Sequence, residues 1–201
     1  MIKFTDTGFF AKSKSLGDCI NHEMEQFKLH QSLKLKDYVR LRGDFLAKQK
    51  NAALNKEFIS SFSPKIGVFA GSFNPFHKGH FNVLQKAEKI FDKVIIAFGK
   101  NTEKGQRTWG IPQSVKNRQV EEYSGLLTDF IQSLGHDATV IRGLRNSTDF
   151  QYEQNQYRYI QELMPGIKIV NIFCDKEFEH ISSSGIRTLE KFNRHQNYLL
   201  D

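Results

Sequence analysis

Two cysteines, Cys19 and Cys174, are the only thiols in 201 residues, and they lie far apart in the chain. They give no metal-type spacing, and they read as free thiols in a reducing compartment rather than as a disulfide framework. No apolar run approaches the roughly 20 residues of a membrane span. The opening M-I-K-F-T-D-T-G-F-F has no apolar core ahead of a small-residue cleavage site, so no export signal is expected. A cytoplasmic protein without a membrane partner is the expectation. The formal charge is +7, but no Lys/Arg-rich run gathers it. Spread in this way, it favours small phosphorylated substrates over nucleic acid or an anionic lipid surface. Three phosphate or acyl-transfer signatures are also missing: G-x-S-x-G, the Walker A G-x-x-x-x-G-K, and the dinucleotide G-x-G-x-x-G.

What is present centres on residues 65–91. Ile66, Val68, Phe69 and Ala70 form a short apolar run stopped by Gly71, the pattern of a buried strand. Val83, Leu84, Ala87, Ile90 and Phe91 recur on one face of a 3.6-residue period, the pattern of an amphipathic helix. Between them lie Gly71, Asn74, Pro75 and Gly79, which break regular structure and let backbone approach a ligand. A turn of this kind feeding a helix N-terminus offers free N–H groups and a positive dipole end to a phosphate. His77 and His80 add two cationic or hydrogen-bonding side chains there. No carboxylate or cysteine lies nearby in sequence to complete a metal site, so none is expected.

The alternation continues downstream. Residues 94–98 read as a second strand, 138–141 as a third and 167–173 as a fourth, with helices expected at 126–134 and 149–163. A final helix begins in I-S-S-S-G-I-R (181–187), with serines at its N-cap. Strand, helix, strand within about thirty residues is the unit of a parallel sheet with right-handed crossovers. The expected class is therefore α/β, a Rossmann-like doubly wound parallel sheet. Residues 1–63 read differently. Leu16, Cys19, Ile20, Met24 and Phe27 suggest one helix over 16–30, and Leu35, Tyr38, Val39, Phe45 and Leu46 a second over 33–50. A polar, serine-rich stretch to Pro64 suggests a linker. The division expected is a helical N-terminal extension, 1–63, and a main domain, 64–201.

Polar groups cluster where the strands end: Ser72, His77 and His80; Lys104; Arg142 and Arg145; and Ser182, Ser183 and Ser184 with Arg187. Cations, hydroxyls and helix N-termini together bind and polarise phosphates. G-S-F-N-P-F-H-K-G-H (71–80) resembles the (T/H)-x-G-H signature of the nucleotidyltransferase superfamily, and I-S-S-S-G-I-R resembles its second signature. I-R-G-L-R-N-S-T-D-F-Q-Y-E (141–153), and the run from M-P-G (164–166) through D-K-E-F-E-H-I-S-S-S (175–184), are similar to diagnostic stretches of phosphopantetheine adenylyltransferases. The resemblance covers roughly 65–190.

It implies transfer of AMP from ATP to 4′-phosphopantetheine, giving dephospho-coenzyme A and pyrophosphate, with Mg²⁺ accompanying the ATP. It implies catalytic roles for His80, Lys104, Arg145 and Ser72. The ATP side would comprise Ser72, Phe73, His80, Gly143, Leu144, Arg145, Glu153, Phe178, Glu179, His180, Ile181, Ser182, Ser183 and Ser184. The acceptor side would comprise Ser72, Lys104, Leu127 and Arg142. It also implies a homo-oligomer, a hexamer in the family. Against the family pattern the chain is shorter between Trp109 and Ser124, stops short of the usual final helix, and adds the N-terminal extension. The G-S-F-N-P-F-H-K-G-H loop would equally suit an adenylyltransferase acting on nicotinate or nicotinamide mononucleotide, whereas Arg142-Gly143-Leu144-Arg145 with Asp149 and Glu153 argues for phosphopantetheine. A catalytically idle nucleotide-binding scaffold of the same fold is the remaining alternative.

Overall fold

The computed structural model describes residues 31–40, 64–100 and 109–200. The helix expected over 16–30, most of that over 33–50, the linker and Lys104 lie outside the described residues; within 33–50, residues 35–40 are helical. The chain divides into two compact units, Met1–Pro64 and Lys65–Asp201, and the second carries everything that follows.

That unit is built on five parallel strands: β1 Ile66–Gly71, β2 Lys93–Lys100, β3 Gln119–Ser124, β4 Ala138–Leu144 and β5 Lys168–Phe173. Their order across the sheet is β3-β2-β1-β4-β5. The chain thus builds outward from β1 through β2 to β3, then returns to the other side of β1 for β4 and β5. The strand order reverses between β1 and β4, and in open sheets of this kind the crevice at the C-terminal strand ends there is where ligands bind. The helices are α1 Lys78–Ala87, α2 Leu127–Ser133, α3 Ser147–Leu163 and α4 Ser183–Glu190. Short 3₁₀ turns occupy Gln113–Val115, Lys176–Phe178 and Gln196–Tyr198.

The central strands are apolar because both faces are covered. Val68 and Ile95 on one face, Phe69 and Ile96 on the other, are all buried. α1 packs on the sheet through Val83, Leu84 and Ala87, which join Phe69, Phe91, Ile96, Phe98 and Ile141 in one apolar core. Burial of such side chains stabilises the fold by about 1.5–3 kcal/mol each.

Two expectations need correcting. The sheet has five strands rather than four, and the fifth lies within the stretch 109–124 that looked merely short. β3 escaped notice because Q-V-E-E-Y-S has only one aliphatic residue. It is an edge strand, paired on one side to β2 and mostly solvated, so neither a continuous apolar run nor clean alternation was required of it. The second correction concerns α3. It is present and begins at Ser147, two residues earlier than expected, but none of its residues is buried. Of the apolar residues along it, Phe150, Tyr157 and Leu163 are 44%, 38% and 54% exposed, and Ile160 is half-buried.

Candidate active site

The turn between β1 and α1 is held in an unusual shape by its surroundings. Asn74–Pro75 is a cis peptide, and Phe73 has a φ of 42°. A positive φ on a bulky residue costs on the order of 1–3 kcal/mol and persists only where packing enforces it. Here Phe73 is buried among Phe69, Phe76, Phe98 and His80, with ring centroids 4.9–5.1 Å away in each case. From the far side α4 grips the turn's carbonyls: Ser183 Oγ donates to Pro75 O at 2.9 Å and Arg187 Nη1 donates to Asn74 O. The Asn74 side-chain oxygen is buried and has no hydrogen-bond partner among the described residues.

Past the turn, α1 is capped by two imidazoles. His77 is the extended N-cap residue, with φ −136° and ψ 175°. Its Nδ1 accepts from the main-chain N–H of His80 at 3.4 Å, while His80 Nδ1 accepts from the N–H of His77 at 3.3 Å. This is a capping box with histidines in place of Ser and Glu. The rings stack, 3.6 Å between centroids and 22° between planes. Gly79 makes the stack possible, because a Cβ there would sit 3.2 Å from the His77 ring. An imidazole nitrogen that accepts carries no proton, so the reciprocal bonds assign the proton of each neutral ring to Nε2.

Neutral is what both rings are. Burial, then the nearby Arg145 cation, lowers the His77 pKa to about 3. His80 is likewise lowered well below 6.5, by burial first, then by His77 and Arg145. The cationic role considered for these histidines is therefore corrected. In the unliganded site they are neutral donors, because a charged imidazole would be desolvated beside a guanidinium.

The cations come from β4. Arg145, just past its end, makes a fork with Asp149: Nε to Oδ2 at 2.8 Å and Nη2 to Oδ1 at 2.7 Å. Asp149 Oδ2 also accepts from the Arg145 N–H at 2.9 Å. These bonds raise the Arg145 pKa further, so it is a fixed, permanent cation. Arg142 is differently employed. Its Nε and Nη2 bond the Glu153 carboxylate at 2.6 and 2.7 Å, and Nη1 donates to Ala70 O at 2.9 Å. This pair ties β4, α3 and β1 together. The three-way tie gives Arg142 a structural occupation that its sequence position did not suggest.

These elements surround one cavity of about 1020 Å³ at the C-terminal strand ends. Ser72, Asn74, His77 and His80 line it from the turn, Gly143, Leu144 and Arg145 from β4, and Asp149, Tyr152 and Glu153 from α3. Ser182, Ser183, Ser184 and Arg187 line it from α4. Ser182 caps that helix by accepting from Gly185 N–H at 3.0 Å. Gly143 lets β4 approach α1, since a Cβ would meet Val83 at 3.3 Å.

The cavity wall thus brings together Ser72, His80, Gly143, Leu144, Arg145, Glu153 and the three serines. Other expected residues are placed behind or beside it. Phe73 is buried beneath the turn. Phe178 packs against the core edge. Ile181 is buried, and its carbonyl oxygen accepts from Arg145 Nη1 at 3.4 Å. Glu179 and His180 are exposed, and Leu127 begins α2. Sequence reasoning gave no site role to Asp149, although its spacing four residues after Arg145 at a helix start was a usable signal. It read Asn74 only as a turn residue, and it missed Tyr152, Cys174 and the Lys100–Glu122 ion pair, 3.0 Å apart; all of these border the cavity. Cys174 is buried, which raises its thiol pKa, with the Glu179 carboxylate adding to the effect.

The cytidylyltransferase-like family model matches residues 68–189. A phosphopantetheine adenylyltransferase from Streptococcus pneumoniae (strain CGSP14) is 34% identical over 142 residues, which is 66% of this chain and 87% of the relative. One from Mycoplasma capricolum is 35% identical over 139 residues, 65% of this chain and 99% of the relative. One from Cytophaga hutchinsonii is 36% identical over 138 residues, 64% and 91% respectively.

Proposed function

The chain belongs to the cytidylyltransferase-like family and, within it, to the phosphopantetheine adenylyltransferases; on that footing we propose that it transfers AMP from ATP to 4′-phosphopantetheine, releasing pyrophosphate and forming dephospho-coenzyme A. The observation that carries this reading is the convergence on one cavity of a neutral His80 donor, the Arg145 guanidinium and the serine-capped start of α4.

The chemistry asks little of a protein base. The acceptor phosphate is already ionised and attacks the α-phosphorus of ATP in line. Its oxygen forms the new P–O bond, and the bond to the bridging oxygen of pyrophosphate breaks, so no proton moves. Catalysis reduces to holding two anions in register and to answering the charge that develops on the transferred phosphorus. His80 donates its Nε2–H to a non-bridging oxygen of that phosphorus. A neutral imidazole suits this task, because its bond strengthens as charge develops and does not trap the ground state as a cation would. Arg145, clamped by Asp149, balances the triphosphate. The N–H groups and hydroxyls at the start of α4 receive its outer oxygens. Ser72 faces the acceptor phosphate, and Lys104 orients it.

Among the described residues no group of three or more His, Cys, Asp or Glu could hold a metal ion. Mg²⁺ would come with the substrate, on the phosphates of ATP, where it would offset their charge. Arg142 takes part in acceptor binding only by exchanging its bonds to Glu153 for bonds to substrate.

No helix among the described residues is long and apolar enough to cross a membrane, and the enzyme is expected in the cytoplasm. It acts as a homo-oligomer, with the aromatic outer side of α3 as the covered surface. The 1–63 extension and the 64–201 catalytic domain are its two parts.

Pyrophosphate release from ATP with 4′-phosphopantetheine as acceptor tests the reading, with nicotinate and nicotinamide mononucleotide as controls. Turnover only with a mononucleotide would reassign the acceptor. ATP binding without turnover on any acceptor would make the protein a scaffold.

A further inference from the structure

The histidine pair is held from outside by a stretch that no motif singled out. Leu199 forms an antiparallel β-bridge with His77. Lys78 Nζ donates to the main-chain carbonyl of Asn197 at 2.7 Å. Between them, Tyr198 sets its ring edge-on to His180, 5.9 Å between centroids, two residues before the serines of α4. His195 meets Trp109 edge-on at 5.3 Å, and Leu200 packs against the core. Six consecutive residues, 195–200, thus touch the turn, the approach to α4 and the residue that follows 101–108.

Lys78 occupies the variable position within His77-Lys78-Gly79-His80, where a lysine invites assignment as a phosphate ligand. Its location argues otherwise. It is exposed, it is not part of the cavity wall, and its ammonium is bonded to Asn197. The capping bonds it flanks are long, 3.3 and 3.4 Å, and bonds of that length are weak. They depend on the extended His77 backbone, φ −136° and ψ 175°, and the β-bridge to Leu199 pairs with that backbone.

Resting for its kinetic arm on the reaction proposed above, we propose that residues 195–200 form a strap acting through Lys78 and Leu199 to fix the His77–His80 pair, so that His80 presents Nε2–H to the transferred phosphorus. Lys78 is then a positioning residue rather than a substrate ligand.

The test compares Lys78→Met and Lys78→Arg in the full chain. ¹⁵N spectra of the imidazoles, recorded without substrate, should show a single Nε2–H tautomer for His80 in the parent protein and in Lys78→Arg. Lys78→Met should give exchange between tautomers, with kcat lower by about 10- to 100-fold and the Kd for ATP unchanged. Tyr198→Ala, which loosens the strap without touching the turn, should move both readouts in the same direction by less. Weaker ATP binding with an unmoved tautomer would make Lys78 a phosphate ligand and overturn the proposal. No change in either readout would reduce the strap to packing and overturn it as well. Absence of turnover with 4′-phosphopantetheine in the parent protein would defeat the reaction assignment while leaving the spectroscopic arm decisive.

Discussion

α1 and α3 are the same device used twice. Each follows a parallel strand beside the reversal of strand order, and each brings its N-terminus to the same cavity, yet they are built in opposite ways. α1 buries Gly79, Val83, Leu84 and Ala87 and caps itself with two neutral imidazoles locked face to face. α3 has no fully buried residue and enters through charge, with Asn146 capping the N–H of Asp149 and Asp149 clamping Arg145. A rigid, dry helix start can hold a neutral donor to within tenths of an ångström, which transition-state stabilisation requires. A more solvated one can hold a full cation, because its bonds to Asp149 outweigh the desolvation of Arg145. The difference between shape and charge therefore follows from how deeply each helix is buried.

The largest expected effect lies on the neutral side of that contrast. His80→Ala should lower kcat by about 10²- to 10³-fold while the KM for ATP changes little, since one donor aimed at developing charge is worth that much. Steady-state pyrophosphate release checks it. A loss confined to KM would mean that His80 binds the ground state and that the two helix starts do not differ in kind.

The second effect is on stability, and its sign follows from the histidines. A folded His77 with a pKa of about 3 stays unprotonated where the unfolded chain, near 6.5, takes up a proton. The folded state thus binds fewer protons between those values, and stability falls as pH drops below 6.5, by about 1.4 kcal/mol per unit for this residue. Between pH 6.5 and 5 the loss from His77 is about 2 kcal/mol, and His80 adds a loss of the same sign. Urea midpoints at the two pH values should diverge in the parent protein and diverge less in His77→Asn, which keeps a capping oxygen but cannot titrate, the remainder coming from His80. Equal midpoints in both proteins would show that the stack is not dry.

Those two helix starts also explain what the sequence could and could not reveal. The α1 turn was legible because every feature leaves a residue-type mark: Gly79 under the stack, Asn74-Pro75 in the turn, two histidines three apart, apolar residues at helical spacing. The neutrality of the histidines was not legible, since it depends on burial and on Arg145, 65 positions away by residue number. β3 was hidden because an edge strand paired on one side needs no apolar signature. α3 was legible as a helix, but its spacing did not say how exposed its apolar residues would be. Local sequence fixes a helical period and says nothing of whether that face meets this chain's core or something else. Arg142 was recognised as a strand-end cation, while its bond to Glu153, eleven positions away on α3, was not, because only the fold brings those positions together.

A smaller effect tests the charged side. The Arg142–Glu153 pair is mostly buried, with side chains 19% and 14% exposed. Glu153→Gln removes one partner and leaves a guanidinium half-satisfied, which should cost about 2 kcal/mol and lower the melting temperature. Arg142→Ala should do the same and, in addition, raise the KM for 4′-phosphopantetheine. Unaltered acceptor KM with reduced melting would leave Arg142 as a tie between β4, α3 and β1 and move the acceptor pocket elsewhere.

The smallest effect on the single chain concerns the outside of α3, and it bears most directly on why the helix is so differently built. Tyr159 and Leu163 are 64% and 54% exposed, so replacing both with Ser removes almost no intramolecular contact and should change chain stability by no more than about 0.5 kcal/mol. On the reading proposed above, these exposed side chains are the face that meets another copy. The double variant should therefore fold normally by circular dichroism yet run as a smaller species than the parent in size-exclusion chromatography with light scattering. A parent that is already monomeric at micromolar concentration would remove the reason for the exposed face. A variant that assembles as the parent does would place the contact on another surface, leaving α3 explained by its charges alone.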